Sequence, residues 1–199
     1  HKAAKSLRAD ADAVGMLRNI PKTVHQQGRP AKVSTKRASE GLVLVASYDG
    51  IGGARRALEL IGIKPALYIT IEWDKDCRAV VRRTWPDAIT VGDNHDMGEI
   101  QAEDLAELLQ SHPELDTGLI IAGPPCQGLT ALSRQSKGMD DPRSDGVATF
   151  AMLAQKLKEE LPSISWHCMM ENVSSMTDDN RKTVTRMLEP LGCSIPYLF

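Results

Sequence analysis

The chain has 199 residues, 42% of them hydrophobic and 25% charged, and a net charge of −2, which is typical of a globular domain with one core. No apolar run is long enough to span a bilayer, and residues 1–20 are cationic without the apolar stretch of a signal peptide. We therefore expect a cytoplasmic or nuclear protein that is neither secreted nor held in a membrane.

Residues 1–40 are basic and lack a regular pattern. They carry nine lysines and arginines against three acids, which leaves a local charge of +6, and the stretch 18–41 has prolines and glycines but no sustained periodicity. We expect a solvated linker or tail here, with a sequence-independent contact to nucleic acid as the alternative. Residues 41–199 are expected to form the folded domain.

From residue 42 onward, apolar strands alternate with amphipathic helices. The run LVLVAS at 42–47 predicts a strand that is covered on both faces, and after a glycine-rich turn the spacing at 54–62 predicts a helix. The same alternation predicts strands at 66–72, 88–91, 118–123 and 166–171 and helices at 74–85, 100–110, 147–160 and 178–189. This order indicates an α/β fold, a mostly parallel sheet with helices on both faces that binds ligands at the carboxyl ends of its strands.

The turn after the first strand, YDGIGG at 48–53, has glycines where a backbone could approach a ligand. The spacing is not that of a dinucleotide-binding loop, because Arg55 stands in place of the third glycine, and no Gly-Lys-Ser/Thr follows as in a phosphate-binding loop. A pyrophosphate cofactor is therefore disfavoured. Tight packing of helix against strand would explain the glycines almost as well.

Acidic and aromatic residues follow the next two strands. Glu72 ends the second strand, 22 residues after Gly50, which is the position at which α/β nucleoside sites bind ribose hydroxyls. Trp73 beside it could stack on an adenine, and Asp93 after the third strand is a further polar candidate. The alternative is a helix-capping acid next to a core tryptophan.

Among the four cysteines, Cys126 alone lies in a loop at the carboxyl end of a strand, where Pro124 and Pro125 precede it. The cysteines and histidines have no metal-ligand spacing, so no metal is expected. Placement makes Cys126 a candidate nucleophile rather than a buried small hydrophobe. Glu171 ends the last predicted strand at the same sheet edge as a candidate proton donor, and Asn172 could orient a loop.

Five short motifs occur in one order along this domain. They are YDGIGG (48–53), EWD (72–74), GD (92–93), GPPCQG (123–128) and ENV (171–173). In this order they resemble the motifs of the cytosine-C5 DNA methyltransferase family across residues 42–199. The resemblance implies a Rossmann-like fold, S-adenosylmethionine as cofactor and DNA with a flipped cytosine as substrate.

The resemblance also implies a role for each motif residue. The Cys126 thiolate would attack C6 of cytosine while Glu171 binds N3, which makes C5 nucleophilic, and Gln127 and Asn172 would orient the substrate. The cofactor would be bound by Tyr48, Gly50, Gly52, Glu72, Trp73, Asp93, Gly123 and Pro125.

Two departures from the family pattern keep alternatives open. Tyr48 stands where the family usually has phenylalanine, and the chain stops 28 residues after Glu171, without the family's target-recognition region. We expect the catalytic part of a larger enzyme, with the remainder on the parent chain or on a partner methyltransferase. An inactive remnant that binds cofactor or a partner, and a related enzyme that acts on tRNA cytosine, are the alternatives.

Overall fold

The computed structural model confirms the alternating pattern, and the ends of every element lie within two residues of the prediction. The described residues are 39–92, 102–126, 128–129, 138–141, 144–173 and 175–193. The strands are β1 (Leu42–Ser47), β2 (Leu67–Ile71), β3 (Ile89–Val91), β4 (Thr117–Ala122) and β5 (Ser165–Met170). The helices are α1 (Gly53–Leu60), α2 (Lys75–Thr84), α3 (Ala102–Gln110), α4 (Asp145–Glu160) and α5 (Asp178–Leu188).

The five strands form one parallel sheet in the order β3-β2-β1-β4-β5. The chain builds outward from β1 through β2 to β3, and then returns to the other side of β1 with β4 and β5. A topological switch point therefore lies between β1 and β4. In open α/β sheets the crevice at the carboxyl ends of such neighbouring strands is where ligands bind.

Apolar side chains cover both faces of the sheet, because all six residues of β1 are buried. On one face, Val43 and Val45 lie in a cluster with residues of α3, α4 and α5. On the other face, Leu44 clusters with Leu58 of α1 and Val81 of α2. The structure is thus the three-layer Rossmann-like fold that we predicted.

Local signals explain where the helices near the switch point begin and end. The Asp74 carboxylate accepts hydrogen bonds from the Asp76 and Cys77 amides, so it caps α2 directly after the end of β2. α1 ends before Gly62, whose φ of 79° continues the chain in the left-handed conformation. No helix in the described part of the chain is long and apolar enough to cross a membrane.

Candidate active site

The loop after β1, residues 48–53, is the glycine loop. Its backbone is left-handed at Tyr48, Gly50 and Gly52, with φ of 53°, 58° and 90°. A Cβ placed on Gly50 would meet no atom within 4 Å, so the loop faces open space there. A Cβ placed on Gly52 would overlap the Trp85 ring. The two glycines therefore have different surroundings: Gly50 leaves room beside the loop, and Gly52 allows an aromatic ring to pack against the backbone.

Glu72 lies at the carboxyl end of β2 and is only 6% exposed. One carboxylate oxygen accepts the Gly50 amide at 2.8 Å, and the other accepts the Asp74 amide at 2.8 Å. The glycine loop and the end of β2, which the sequence suggested would act together, are thus joined directly. A carboxylate has about four acceptor positions, so each oxygen retains capacity for a second donor such as a hydroxyl.

Trp73 follows Glu72 and stays 46% exposed, although large aromatic side chains are usually well buried. The alternative of a core tryptophan is therefore wrong. An exposed indole beside a buried carboxylate at a strand end provides a flat apolar surface for a planar ring.

Asp49 and Tyr68 form a second polar contact beneath the glycine loop, in which the Tyr68 hydroxyl donates to the Asp49 carboxylate. Burial raises the pKa of Asp49 above its usual 3.8 by more than this hydrogen bond lowers it. Burial also raises the pKa of Tyr68, and the nearby Asp49 charge adds to the effect. Residue type and spacing alone do not single out Tyr68, because it stands within an apolar strand.

Arg78 is a further polar residue at this edge that sequence reasoning missed. Its Nη1 donates to the carbonyl oxygens of Glu72 at 2.9 Å, Trp73 at 2.6 Å and Gly92 at 2.6 Å. The side chain belongs to the first turn of α2 and is buried, being 8% exposed. An arginine near a helix N-terminus opposes the helix dipole, and this was the signal in the sequence that could have indicated another role.

Cys126 lies in the loop that follows β4, and we call residues 123–126 the thiol loop. Hydrogen bonds hold the backbone of this loop on both sides. The Gly123 amide donates to the Ser47 carbonyl at 3.3 Å, and the Asn172 side-chain amide donates to the Pro124 carbonyl at 3.4 Å. Pro124 is buried and Pro125 is exposed, while Cys126 is a partly exposed free thiol. The thiol thus lies at the carboxyl end of β4, and the side chain of Asn172 contacts the loop that carries it.

Three loops meet at Gly123. A Cβ placed there would lie 3.7 Å from the Tyr48 carbonyl oxygen and 3.8 Å from Oε2 of Glu171. The Glu171 amide donates to the Ala122 carbonyl at 2.8 Å, which holds the backbone of this exposed residue at the end of β5. A carboxylate, the thiol loop and the glycine loop are therefore neighbours at the switch point.

The Tyr48 ring packs toward the start of α4. A Cβ on Gly146 would lie 3.0 Å from the Tyr48 hydroxyl oxygen and 3.0 Å from Cβ of Pro124. The Tyr48 hydroxyl and the Pro124 ring thus both lie next to the same residue of α4, while the backbone of Tyr48 begins the glycine loop. The hydroxyl that distinguishes it from the expected phenylalanine lies at this helix.

The other cysteines lie away from the thiol loop. Cys168 is buried in β5 and hydrogen-bonds the Cys193 thiol, which lowers the pKa of Cys168 and raises the pKa of Cys193. Cys77 is partly buried at the start of α2. Within the described part of the chain, no three histidine, cysteine or acidic residues are grouped so that they could hold a metal ion.

The structure brings together most of the residues that the sequence selected. The glycine loop, Glu72 and Trp73 lie at the ends of β1 and β2, and Gly123, Cys126 and Glu171 lie at the ends of β4 and β5. Two further predicted residues, Asp93 and Gln127, lie outside the described residues, as do positions 1–38 of the predicted basic segment.

Comparison with known proteins identifies related sequences. A family model described as C-5 cytosine-specific DNA methylase matches residues 46–194. The Type II methyltransferase M.AquIA of Picosynechococcus sp. is 31% identical over 133 residues, which cover 67% of this chain and 49% of that protein. The chain therefore spans about half the length of the curated relative it matches.

Solved structures share the fold. A mutant DNMT2 of Spodoptera frugiperda aligns with a TM-score of 0.50 at 20% identity and covers 75% of this chain and 41% of that one. The methyltransferase EhMeth of Entamoeba histolytica aligns with a TM-score of 0.52 at 19% identity and covers 76% of this chain and 44% of that one. At these identities the similarity concerns the architecture of the sheet and its helices.

Proposed function

Because the chain belongs to the C-5 cytosine-specific DNA methylase family, we propose that it transfers a methyl group from S-adenosylmethionine to C5 of cytosine in DNA. The observation that carries the proposal is the meeting of three loops at Gly123, where the Glu171 carboxylate lies beside the loop that carries Cys126. The thiol follows β4 and the carboxylate follows β5. Addition to a pyrimidine ring uses such a pair, a nucleophile and a group that hydrogen-bonds or protonates the ring.

The residues at the ends of β1 and β2 fit a nucleoside cofactor. Open space adjoins Gly50, and the buried Glu72 carboxylate retains acceptor capacity on the same side of the sheet. Trp73 offers an exposed indole one residue further along. This set provides a close backbone, an acceptor for hydroxyls and a stacking surface, and it lacks the loop that a pyrophosphate needs.

In the proposed complex, Glu72 accepts hydrogen bonds from the ribose hydroxyls and Trp73 stacks on the adenine. Tyr48, Gly50 and Gly52 line the methionine and ribose end, Asp93 binds the adenine amino group, and Gly123 and Pro125 form the wall next to the nucleophile. When bound, S-adenosylmethionine supplies an electrophilic methyl group on sulfonium.

Cys126 and Glu171 act on the cytosine, which must leave the base stack to reach them. The Cys126 thiolate adds to C6, and Glu171 hydrogen-bonds or protonates N3, so that electron density moves to C5. After methylation, a solvent water accepts the C5 proton and the bond between C6 and the Cys126 sulfur breaks, which restores the aromatic ring and releases Cys126 as a thiolate. Gln127 and Asn172 orient the base and the loop, and Asn172 is suited to this by its bond to the Pro124 carbonyl.

Recognition of DNA by this enzyme involves regions beyond the chain described above. The matched region covers 49% of M.AquIA, and we propose that other domains of the parent protein or a partner methyltransferase contribute to DNA recognition. A DNA substrate places the enzyme in the nucleus of a eukaryote or in the cytoplasm of a bacterium.

The experiment that tests the proposal traps the covalent adduct. The protein is incubated with S-adenosylmethionine and a duplex containing 5-fluorocytosine, whose fluorine prevents the final loss from C5. We expect a denaturation-resistant protein–DNA species by mass spectrometry. Cys126→Ser should abolish it, and Cys77→Ser, which leaves the Cys126 thiol in place, should retain it.

The alternatives give different results in the same experiment. An adduct with fluorinated tRNA but not with DNA would replace the substrate and keep the chemistry. Cofactor binding by calorimetry without an adduct on either nucleic acid would favour a binding module. Failure to bind the cofactor would refute the proposed function.

A further inference from the structure

We propose that Arg78 is a positioning residue of the cofactor site, whose guanidinium joins the ends of β2 and β3 and thereby fixes Glu72 and Trp73. This inference rests on the proposed use of S-adenosylmethionine. It adds a residue that no motif of the chain contains and that would act through its neighbours.

Arg78 contacts carbonyl groups that lie beyond the hydrogen-bonded part of the strands. The last register pair of β2 and β3 joins Ile71 to Val91, and one more backbone bond runs from the Glu72 amide to the Val91 carbonyl at 3.2 Å. The carbonyls of Glu72, Trp73 and Gly92 come after this point. Nη1 of Arg78 donates to all three, at 2.6 to 2.9 Å.

Gly92 brings the two strand ends close enough for one side chain to bridge them. Its φ is +101°, and a Cβ there would lie 3.3 Å from the Glu72 carbonyl oxygen and 3.4 Å from the Glu72 nitrogen. Glycine accepts this backbone conformation and this close approach without strain. Because the guanidinium is charged, its hydrogen bonds to the carbonyls are stronger than neutral ones.

The guanidinium of Arg78 donates directly to the backbone of two predicted cofactor contacts, Glu72 and Trp73. Arg78 holds the backbone of Glu72, and the Glu72 carboxylate in turn accepts the Gly50 and Asp74 amides. The Trp73 side chain is 46% exposed, and the bond from Arg78 to the Trp73 carbonyl restrains the backbone that carries the indole. Without Arg78, we expect the carboxylate and the indole to sample orientations that do not bind the cofactor.

The position of Arg78 predicts which kinetic parameter depends on it. It contacts the ends of β2 and β3, whereas the thiol loop follows β4 and Glu171 follows β5. Loss of the guanidinium should therefore raise the dissociation constant and the KM for S-adenosylmethionine. The kcat at saturating cofactor should change little.

The test compares Arg78→Met, which keeps an apolar stem, with Arg78→Lys, which keeps the charge and fewer donors. Leu157→Ala is the control for a general loss of stability, because Leu157 is fully buried in the last turns of α4, away from the carboxyl edge. Calorimetry is run below the unfolding temperature of each variant. We expect roughly tenfold weaker binding for Arg78→Met, since its lost bonds are charge-assisted, partial rescue by Arg78→Lys, and unchanged affinity for Leu157→Ala.

A second readout needs no cofactor. Hydrogen exchange of the Gly50 amide, which donates to Glu72, should accelerate in Arg78→Met and not in Leu157→Ala. Wild-type affinity together with unchanged exchange in Arg78→Met would overturn the inference, as would the same affinity loss in Leu157→Ala. If the wild type itself fails to bind, the proposed function is refuted, and the exchange measurement still decides whether Arg78 orders the strand ends.

Discussion

The Gly50 amide donates a hydrogen bond of 2.8 Å to the Glu72 carboxylate, which joins the first loop of the sheet to the end of the neighbouring strand. Glu72, which we predict to bind the cofactor, therefore also stabilises the loop after β1. Substitution of Glu72 should therefore affect stability and binding together.

Glu72→Ala would leave the Gly50 and Asp74 amides without their carboxylate partner at a buried position. We expect the free energy of unfolding to fall by about 1 to 3 kcal/mol, and the affinity for S-adenosylmethionine to fall as well. Urea unfolding and calorimetry measure the two effects. Glu72→Gln should be intermediate because it retains one acceptor oxygen, and the exposed Glu160→Ala serves as control. Unchanged affinity in Glu72→Ala would remove this residue from the cofactor site.

Gly50→Ala and Gly52→Ala form a matched pair, because both residues have positive φ but different surroundings. Gly50→Ala should cost about 1 kcal/mol of unfolding free energy from backbone strain alone, and its methyl group should obstruct cofactor binding. Gly52→Ala also overlaps the Trp85 ring, so its loss of stability should be larger. Thermal unfolding gives the order. Equal destabilisation would show that the ring does not restrict Gly52.

Asp49→Asn should change how stability depends on pH. Burial raises the folded pKa of Asp49 above its usual 3.8, so the native state binds more protons than the unfolded state between these two pKa values. The contribution of Asp49 to stability therefore falls as the pH rises through this window, from the unfolded pKa to the folded one. The variant should match the wild type at low pH and gain relative stability above the window. Urea unfolding across pH measures the difference. A difference that does not change with pH would contradict the assignment.

Asn172→Ala should slow adduct formation without weakening cofactor binding, because Asn172 donates to the Pro124 carbonyl in the loop that carries Cys126. We expect a reduction on the order of tenfold or more, since small misplacements of reacting groups are costly. Asn172→Asp keeps the acceptor for the Val173 amide but loses the donor to Pro124. Wild-type trapping rates in Asn172→Asp would show that the bond to Pro124 is unimportant.

Deletion of residues 1–38 should reduce nucleic-acid affinity in a salt-dependent and sequence-independent manner if the basic segment contacts phosphates. The slope of log affinity against log salt should become shallower. A variant with the lysines and arginines of this segment replaced by glutamine should behave in the same way. The linker interpretation predicts that neither change affects the affinity or the slope.

Periodicity in the sequence predicted the fold well, because strong apolar runs define the elements. The six-residue run of β1 is buried throughout, as a strand covered on both faces must be. The spacing of Gly50 and Glu72 predicted two residues that the structure joins directly. Both features depend on residue type and spacing, which a sequence shows.

The remaining features depend on where distant backbones come together. Nothing in the sequence near Arg78 shows that three carbonyls from two strand ends surround it. In the same way, Gly52 was compatible with a ligand or with packing, and the Trp85 ring became visible only in the fold. The sequence could select the candidate site but could not assign each residue its neighbours.

The residues that meet at Gly123 are far apart in the sequence, so the candidate site depends on folding of most of the domain. Tyr48 and Glu171, the neighbours of Gly123, come from the first and last strands of the sheet, separated by most of the domain. Contacts between residues so far apart in the chain carry a cost in loop-closure entropy, which slows folding. No segment shorter than β1 to β5 can assemble this constellation, so covalent trapping at Cys126 would also serve as an assay for completed folding.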